Sequence, residues 1–173
     1  MSKFGDWKKL EDIMKGFDKR LEKNCNVALA RAGLVLETAI KRRLLTSADM
    51  KALHSFSIRM KGSSKPLIDH GDLIASVHSV FVEADAVFVG VNRKNAAGVD
   101  IAALHEREKG TRIKVTPKMR AWLAVHGLRL KKSTTELFIP GRPYVKPAYR
   151  DFKQKGVAKE LFIGAVKKTL GGE

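Results

Sequence analysis

The sequence predicts an α+β fold, with a long N-terminal helix and a C-terminal helix packed on a small antiparallel β-sheet. Three observations carry this. Apolar residues recur in steps of three and four from Trp7 to about Leu45, a second such stripe runs from about Ala148 to Leu170, and between them two short alternating segments flank Glu83-Ala84-Asp85. A chain of 173 residues with 44% hydrophobic content supports one sizeable core. The expectation is a single domain, 1–173, with a mobile excursion at about 46–66 and a hairpin arm at about 128–139.

The N-terminal stripe comprises Leu10, Met14, Phe17, Leu21, Cys25, Ala28, Ala32, Val35 and Ala39, with Lys8, Lys15, Asp18, Lys19, Glu22, Lys23 and Arg31 on the opposite face. Gly16, Gly33 and Asn24-Cys25-Asn26 weaken helix propensity, so one bent helix or two helices broken near Asn24 both fit. The stripe keeps its phase across Asn24, which favours one. The small residues Ala28, Ala32 and Ala39 suit close packing on a sheet, although a partner helix would use the same seam.

Residues 46–66 have loop composition, from Thr46-Ser47-Ala48-Asp49 to Gly62-Ser63-Ser64-Lys65-Pro66, around the alternating Ser55–Met60, a possible short strand. Asp72–Ser76 reads as a helical turn. Val77, Ser79 and Phe81, then Val87, Val89 and Val91, form the clearest hairpin. A short helix over Asp100–Lys109 stops at Gly110, and Arg112–Val115 is a strand. Thr116-Pro117 is an N-cap followed by a proline at the first helical position, which starts a helix over Lys118–His126 that Gly127 stops. Leu128–Leu130 and Glu136–Ile139 can pair across Lys131-Lys132-Ser133-Thr134. The last helix buries Phe152, Val157, Leu161, Phe162, Ala165 and Val166, and Gly171-Gly172 lets it fray.

The formal net charge is +16. Self-repulsion of that size calls for salt or an acidic partner, which is nucleic acid, an acidic protein surface or counterions. The basic residues are dispersed: Lys41-Arg42-Arg43, then Arg59, Lys61 and Lys65, then Arg129, Lys131 and Lys132, then Lys153, Lys155 and Lys159. They do not make one base-reading helix, and aromatics amount to 7%, few for a stacking platform. Non-specific phosphate contact stays open. No run approaches the roughly 18 apolar residues of a membrane span, and Met1–Trp7 lacks a leader's apolar stretch, so no membrane partner is expected and a cytoplasmic site of synthesis is. Cys25 is the single cysteine, which excludes an internal disulfide and a cysteine metal cage.

Nucleophile-elbow, phosphate-loop, dinucleotide and zinc-protease signatures are all absent from the sequence. Asp69-His70-Gly71-Asp72, with His105 and Glu106 or Glu108, is the best candidate for a metal or a shared proton. The same residues equally make a turn followed by a helix N-cap at Asp72. His105 lies on the apolar phase of its helix, where a core or interface histidine is the ordinary reading. No catalytic, cofactor-binding or metal residue is assigned, and no enzymatic activity is expected.

The most informative segment is Phe138–Ala148, in which Pro140, Pro143, Pro147 and Gly141 specify a rigid path. Each proline fixes its own φ and biases the residue before it, so Ile139, Arg142 and Lys146 should be extended. Arg142, with its backbone so constrained, is aimed to clamp an internal carboxylate or to meet an acidic neighbour in an assembly. Tyr144 and Val145 anchor the strap in the core, with the Tyr144 hydroxyl at the surface. Arg129, Lys131 and Lys132 form a basic tip, either solvated or reaching a phosphate or an acidic neighbour.

Pro140-Gly141-Arg142-Pro143-Tyr144-Val145 resembles the "P-x-R-P-F/Y-hydrophobic" segment of the tail-completion or neck proteins of tailed bacteriophages, a virion-morphogenesis family. Two more pieces in the same order are similar to that family: Pro66–Val77, which resembles "PLIDTGxLxxSI", and Ala103-Leu104-His105-Glu106 followed by Val115–Leu123. His70 stands where the family has threonine, and Glu106–Gly110 is longer than the family's "HE-hydrophobic-G". The resemblance covers roughly residues 66–150. It implies a non-enzymatic head-tail joining component that self-associates into a ring and contacts other neck, adaptor or tail-tube proteins. It also implies residence in the host cytoplasm during assembly and at the head-tail joint of the virion afterwards. Arg142, Pro143, Tyr144, Arg129, Lys131 and Lys132 are the candidate strap or interface residues. The alternative is a standalone basic nucleic-acid-binding protein.

Overall fold

A computed structural model describes residues 7–47, 49–94 and 98–171. The residues before Trp7 that were read for a leader, Ala48 of the expected excursion, and Gly172, where fraying was expected, lie outside the described residues. The fold is α+β. In chain order it comprises α1 (Trp7–Met14), α2 (Phe17–Thr46), α3 (Ser55–Lys61), α4 (Asp72–Ala75), β1 (Val77–Glu83), β2 (Ala86–Val91), α5 (Ile101–His105), β3 (Thr111–Lys114), α6 (Pro117–Val125), β4 (Glu136–Ile139), α7 (Val145–Gln154) and α8 (Val157–Gly171). The strands form two separate two-stranded sheets, β1-β2 and β3-β4, where a single sheet was expected.

Both terminal helices are broken, and the breaks fall at glycines rather than at the asparagine pair. Gly16 (φ +67°) separates α1 from α2, and Gly156 (φ +65°) separates α7 from α8. Both adopt the left-handed conformation that ends helices and that glycine reaches without a Cβ penalty. Asn24 sits inside the unbroken α2, where its amide Nδ2 donates to Thr169 Oγ1 at 3.0 Å.

The chain divides into two compact units, one comprising Met1–Ala39, His78–Val89 and Tyr149–Glu173, the other Ile40–Val77 and Gly90–Ala148. In the first, Asn24, Ala28 and Ala32 lie one turn apart on α2, and the two alanines are buried, as are Ala165 and Thr169 of α8. Small side chains there permit close helix approach. The hairpin meets α2 at Gly33, where a Cβ would lie 2.8 Å from Val87 Cγ1 and 3.4 Å from Ser79 Cβ. One turn on, Glu37 Oε2 accepts from Ser79 N at 2.8 Å and Ser79 Oγ at 2.7 Å, so an α2 carboxylate satisfies a strand amide.

In the second unit the core holds Ile40, Leu44, Leu73, Val77, Leu123, Tyr144 and Ala148. Ser55–Met60, read as a possible strand, is instead helical. His54 caps α3 by accepting from Phe56 N, and Gly62 (φ +72°) closes it. The expected Leu128–Leu130 pairing is also corrected, because β4 pairs antiparallel with β3, Thr111 opposite Ile139 and Lys114 opposite Glu136. Helix α6 starts as read, with Thr116 Oγ1 accepting from Met119 N at 3.2 Å and proline at its first turn.

Gly33→Val should cost about 1–3 kcal/mol through overpacking against the stiff Val87 side chain. Urea unfolding should therefore give a lower midpoint for Gly33→Val than for Gly164→Val, where a Cβ meets nothing within 4 Å.

Candidate functional site

The proline strap leaves β4 at Ile139 and enters α7 at Val145, and its conformation is set by the end of α5. Gly141 is buried, and a Cβ there would fall 1.9 Å from Arg107 O. Only glycine fits that approach. Arg142 N donates to His105 O at 3.0 Å, which pins the next residue to the same turn.

Glu106 completes the attachment. Its Oε1 accepts from Tyr144 N and Val145 N, each at 2.8 Å, and its Oε2 accepts from Lys146 N at 3.1 Å. These are amides that a helix start leaves without intrahelical partners, and the next residue, Pro147, has no N–H. Ala148 N then makes the first intrahelical bond, to Tyr144 O at 3.4 Å. One carboxylate thus satisfies every orphan donor of the helix start and complements its dipole. Lys146 is accordingly helical, not extended as expected, since Pro147 occupies a first-turn position where its missing donor costs nothing.

Arg142 is 6% exposed. Its Nε donates to Lys51 O at 2.8 Å and its Nη2 to Ala52 O at 3.1 Å. The clamp therefore grips backbone carbonyls, where a carboxylate was anticipated. Burial lowers its pKa, yet a guanidinium stays charged in any ordinary solution. Tyr144 is 0% exposed, and its hydroxyl is buried without a hydrogen-bond partner, contrary to the expected surface position. Burial, with help from Glu106 and Asp100, raises its pKa, so the phenol remains neutral. Pro143, between these two, is half-buried.

The basic residues Arg129, Lys131 and Lys132 are exposed, on a loop and not on a hairpin tip. Arg120 of α6, which sequence reasoning did not single out, shapes that loop. Its Nη1 donates to Leu130 O at 3.3 Å and Lys131 O at 2.9 Å, and its Nη2 donates to Thr134 O at 2.5 Å. The backbone under the three cations is thereby fixed while their side chains project. Near the start of this loop, Trp122 stacks on His126 with ring centroids 4.1 Å apart and meets Phe56 edge-on at 6.4 Å. Arg59 lies 5.6 Å from the Phe56 ring centroid and donates to His126 O at 3.2 Å. Phe56 belongs to this half-exposed cluster and not to a deep core.

The Asp69–Asp72 group does not assemble. Asp69 and His70 are exposed side by side, 3.8 Å apart. Asp72 bonds Arg93 Nη2 at 2.8 Å and sits inside α4, whose N-cap is Gly71 (φ +85°) with no side-chain cap, so the capping role expected of Asp72 is corrected. Glu106 is committed to the strap. Among the described residues, no three His, Cys, Asp or Glu side chains come together as a metal-binding group. Comparison of the chain with protein-family models, curated proteins and solved structures found no match.

Glu106→Ala should destabilise the fold by about 3 kcal/mol, because backbone donors lose their acceptor. Glu106→Gln, which keeps an amide oxygen, should cost less, as read by urea unfolding. His105 gives a pH dependence: burial first, then the Arg142 charge, lowers its pKa from 6.5. The unfolded chain then binds the proton more readily, so His105 contributes stability that is full above about 6.5 and is lost as pH falls toward the folded value. The thermal midpoint should drop on acidification below 6.5, and His105→Asn should flatten that part of the profile.

Proposed function

We propose that this protein is a non-enzymatic structural component of a tailed-phage or prophage particle, acting in tail completion or head-tail joining as an oligomeric neck subunit. The observation that carries the reading is the bond between Glu106 and the strap. Two of the sequence pieces that resemble the neck family, Ala103–Glu106 and Pro140–Val145, are separate in sequence and joined directly in space by the Glu106 carboxylate. Their co-occurrence then has an architectural cause, since Glu106 of one piece and Arg142 of the other both spend their side-chain polar groups on backbone atoms.

The uncommitted surface also suits assembly. Val80, Val82 and Phe88 are all exposed on the hairpin, and a two-stranded ribbon is marginal by itself. Residues 46–66 and 128–139 remain candidates for reaching neighbouring proteins. A net charge of +16 would be complemented by acidic rings above or below the subunit, or by DNA passing through the joint, and would act on encounter rate and registry more than on affinity. No helix among the described residues is long and apolar enough to cross a membrane. The neck reading would put the protein in the host cytoplasm during assembly and then at the virion joint.

The fixed basic loop of Arg129, Lys131 and Lys132 favours a second reading, a standalone nucleic-acid-binding protein. Immunogold labelling of particles released from the host bacterium, with mass spectrometry of washed particles, separates the two. The neck reading expects label confined to the head-tail joint. Washed particles lacking the protein, together with DNA binding whose affinity falls steeply with salt, would overturn it in favour of the second.

A further inference from the structure

The cations are unevenly placed. No acidic residue occurs in 50–68 or in 109–135, which hold four and eight lysines and arginines, so these two runs account for twelve of the sixteen net positive charges. Both belong to the second compact unit, and the fold brings them together. Arg59 of α3 donates from Nη2 to His126 O at 3.2 Å, and Phe56 of α3 meets Trp122 of α6 with ring centroids 6.4 Å apart. Among the described residues of the two runs, Arg112 alone forms an ion pair, with Glu136 at 3.5 Å.

Within this acid-free region a tryptophan is held open to solvent. Trp122 is 49% exposed, although His126 stacks on its ring and Phe56 contacts it edge-on. The His126 ring is itself fixed, with Nδ1 2.8 Å from Trp122 O. The indole is therefore pre-positioned, and little side-chain entropy remains to be lost when something stacks on it. Lys118 is exposed one turn earlier on the same side of α6, and Val125, 84% exposed, lies one turn later. Arg129, Lys131 and Lys132 follow on the loop whose backbone Arg120 fixes.

We propose that this region binds a single-stranded segment of nucleic acid, with a base stacked on Trp122 and phosphates met by Arg59, Lys118 and the loop of Arg129, Lys131 and Lys132. Charge selects a polyanion, because a region without a carboxylate repels none of the phosphates along a chain. The indole then chooses among polyanions. A duplex keeps its base faces inside and offers an exposed ring only phosphates and groove edges, whereas an unpaired base has a free face, and stacking on an aromatic ring works with every base. An acidic protein surface would engage the cations and leave the ring unused. Aromatics are few in the chain as a whole, but Phe56 and Trp122 are gathered here with His126, next to the cations.

The inference gives the nucleic-acid reading a site and does not depend on the neck reading. In the full chain carrying Trp7→Phe, Trp122 is the only tryptophan. Titration with a thymidine oligonucleotide of about 15 nucleotides should quench its fluorescence, with an affinity that falls as salt rises. Trp122→Leu should weaken binding of the labelled oligonucleotide about tenfold by fluorescence anisotropy, and Trp122→Phe, which keeps a ring, should restore most of it. Lys131→Ala with Lys132→Ala should flatten the log-log salt slope by about 0.7 per charge removed while leaving the quenching at saturation intact. If Trp122→Leu does not fold, quenching in the Trp7→Phe chain decides. No binding, binding without quenching, or a duplex of the same length bound as tightly would overturn the proposal. Equal quenching by polyglutamate would also overturn it and assign the surface to an acidic protein. Each of these failures leaves the neck reading standing, which the labelling of particles tests by itself.

Discussion

The Glu106 carboxylate at the start of α7 is the interaction on which the second compact unit depends. Any helix begins with amide donors that the helix itself cannot satisfy, and here they are met by an acid from 38 to 40 residues earlier in the chain. That bond sets where α7 begins. It also sets the path of the strap, because Gly141 must then pass against Arg107 O and Arg142 must bond His105 O. With its backbone fixed, Arg142 reaches the carbonyls of Lys51 and Ala52 and ties down the segment that a loop-rich composition would otherwise leave unattached. Tyr144, between these anchors, is completely buried in the core.

The same device recurs in the first unit, where Glu37 accepts from the Ser79 amide and hydroxyl. Asp100 caps α5 by accepting from Ala103 N at 3.1 Å. With 18 acidic residues against 34 basic ones, acids with architectural tasks leave a surface dominated by lysine and arginine. The net charge of +16 is set by composition, and acids engaged with backbone amides are less available to offset it at the surface.

The hairpin and α6 were legible because their signals are local: alternation across a short turn, and a threonine-proline helix start. The breaks at Gly16 and Gly156 were not, since the apolar stripe keeps its period through a left-handed residue and phase alone does not register the bend. The partner of β4 was misread because the nearest segment is the ordinary choice, whereas α6 and the loop organised by Arg120 carry the chain back to β3. The strap was recognisable as rigid from its prolines, but its attachment was hidden. Nothing local to Glu106 distinguishes a solvated helix-end acid from one that caps a helix nearly forty residues on. The Tyr144 hydroxyl was misplaced for the opposite reason, because a general preference of buried tyrosines for a polar partner was applied to a site that buries the phenol without one.

Amide hydrogen exchange at Tyr144, Val145 and Lys146, resolved by NMR in the intact chain, tests most directly the claim that one carboxylate organises the strap. Free helix-start amides exchange readily, so the account predicts protection at all three comparable to that of the β3-β4 ladder, and its loss together at all three in Glu106→Ala. Rapid exchange of these amides in the unaltered protein would contradict it.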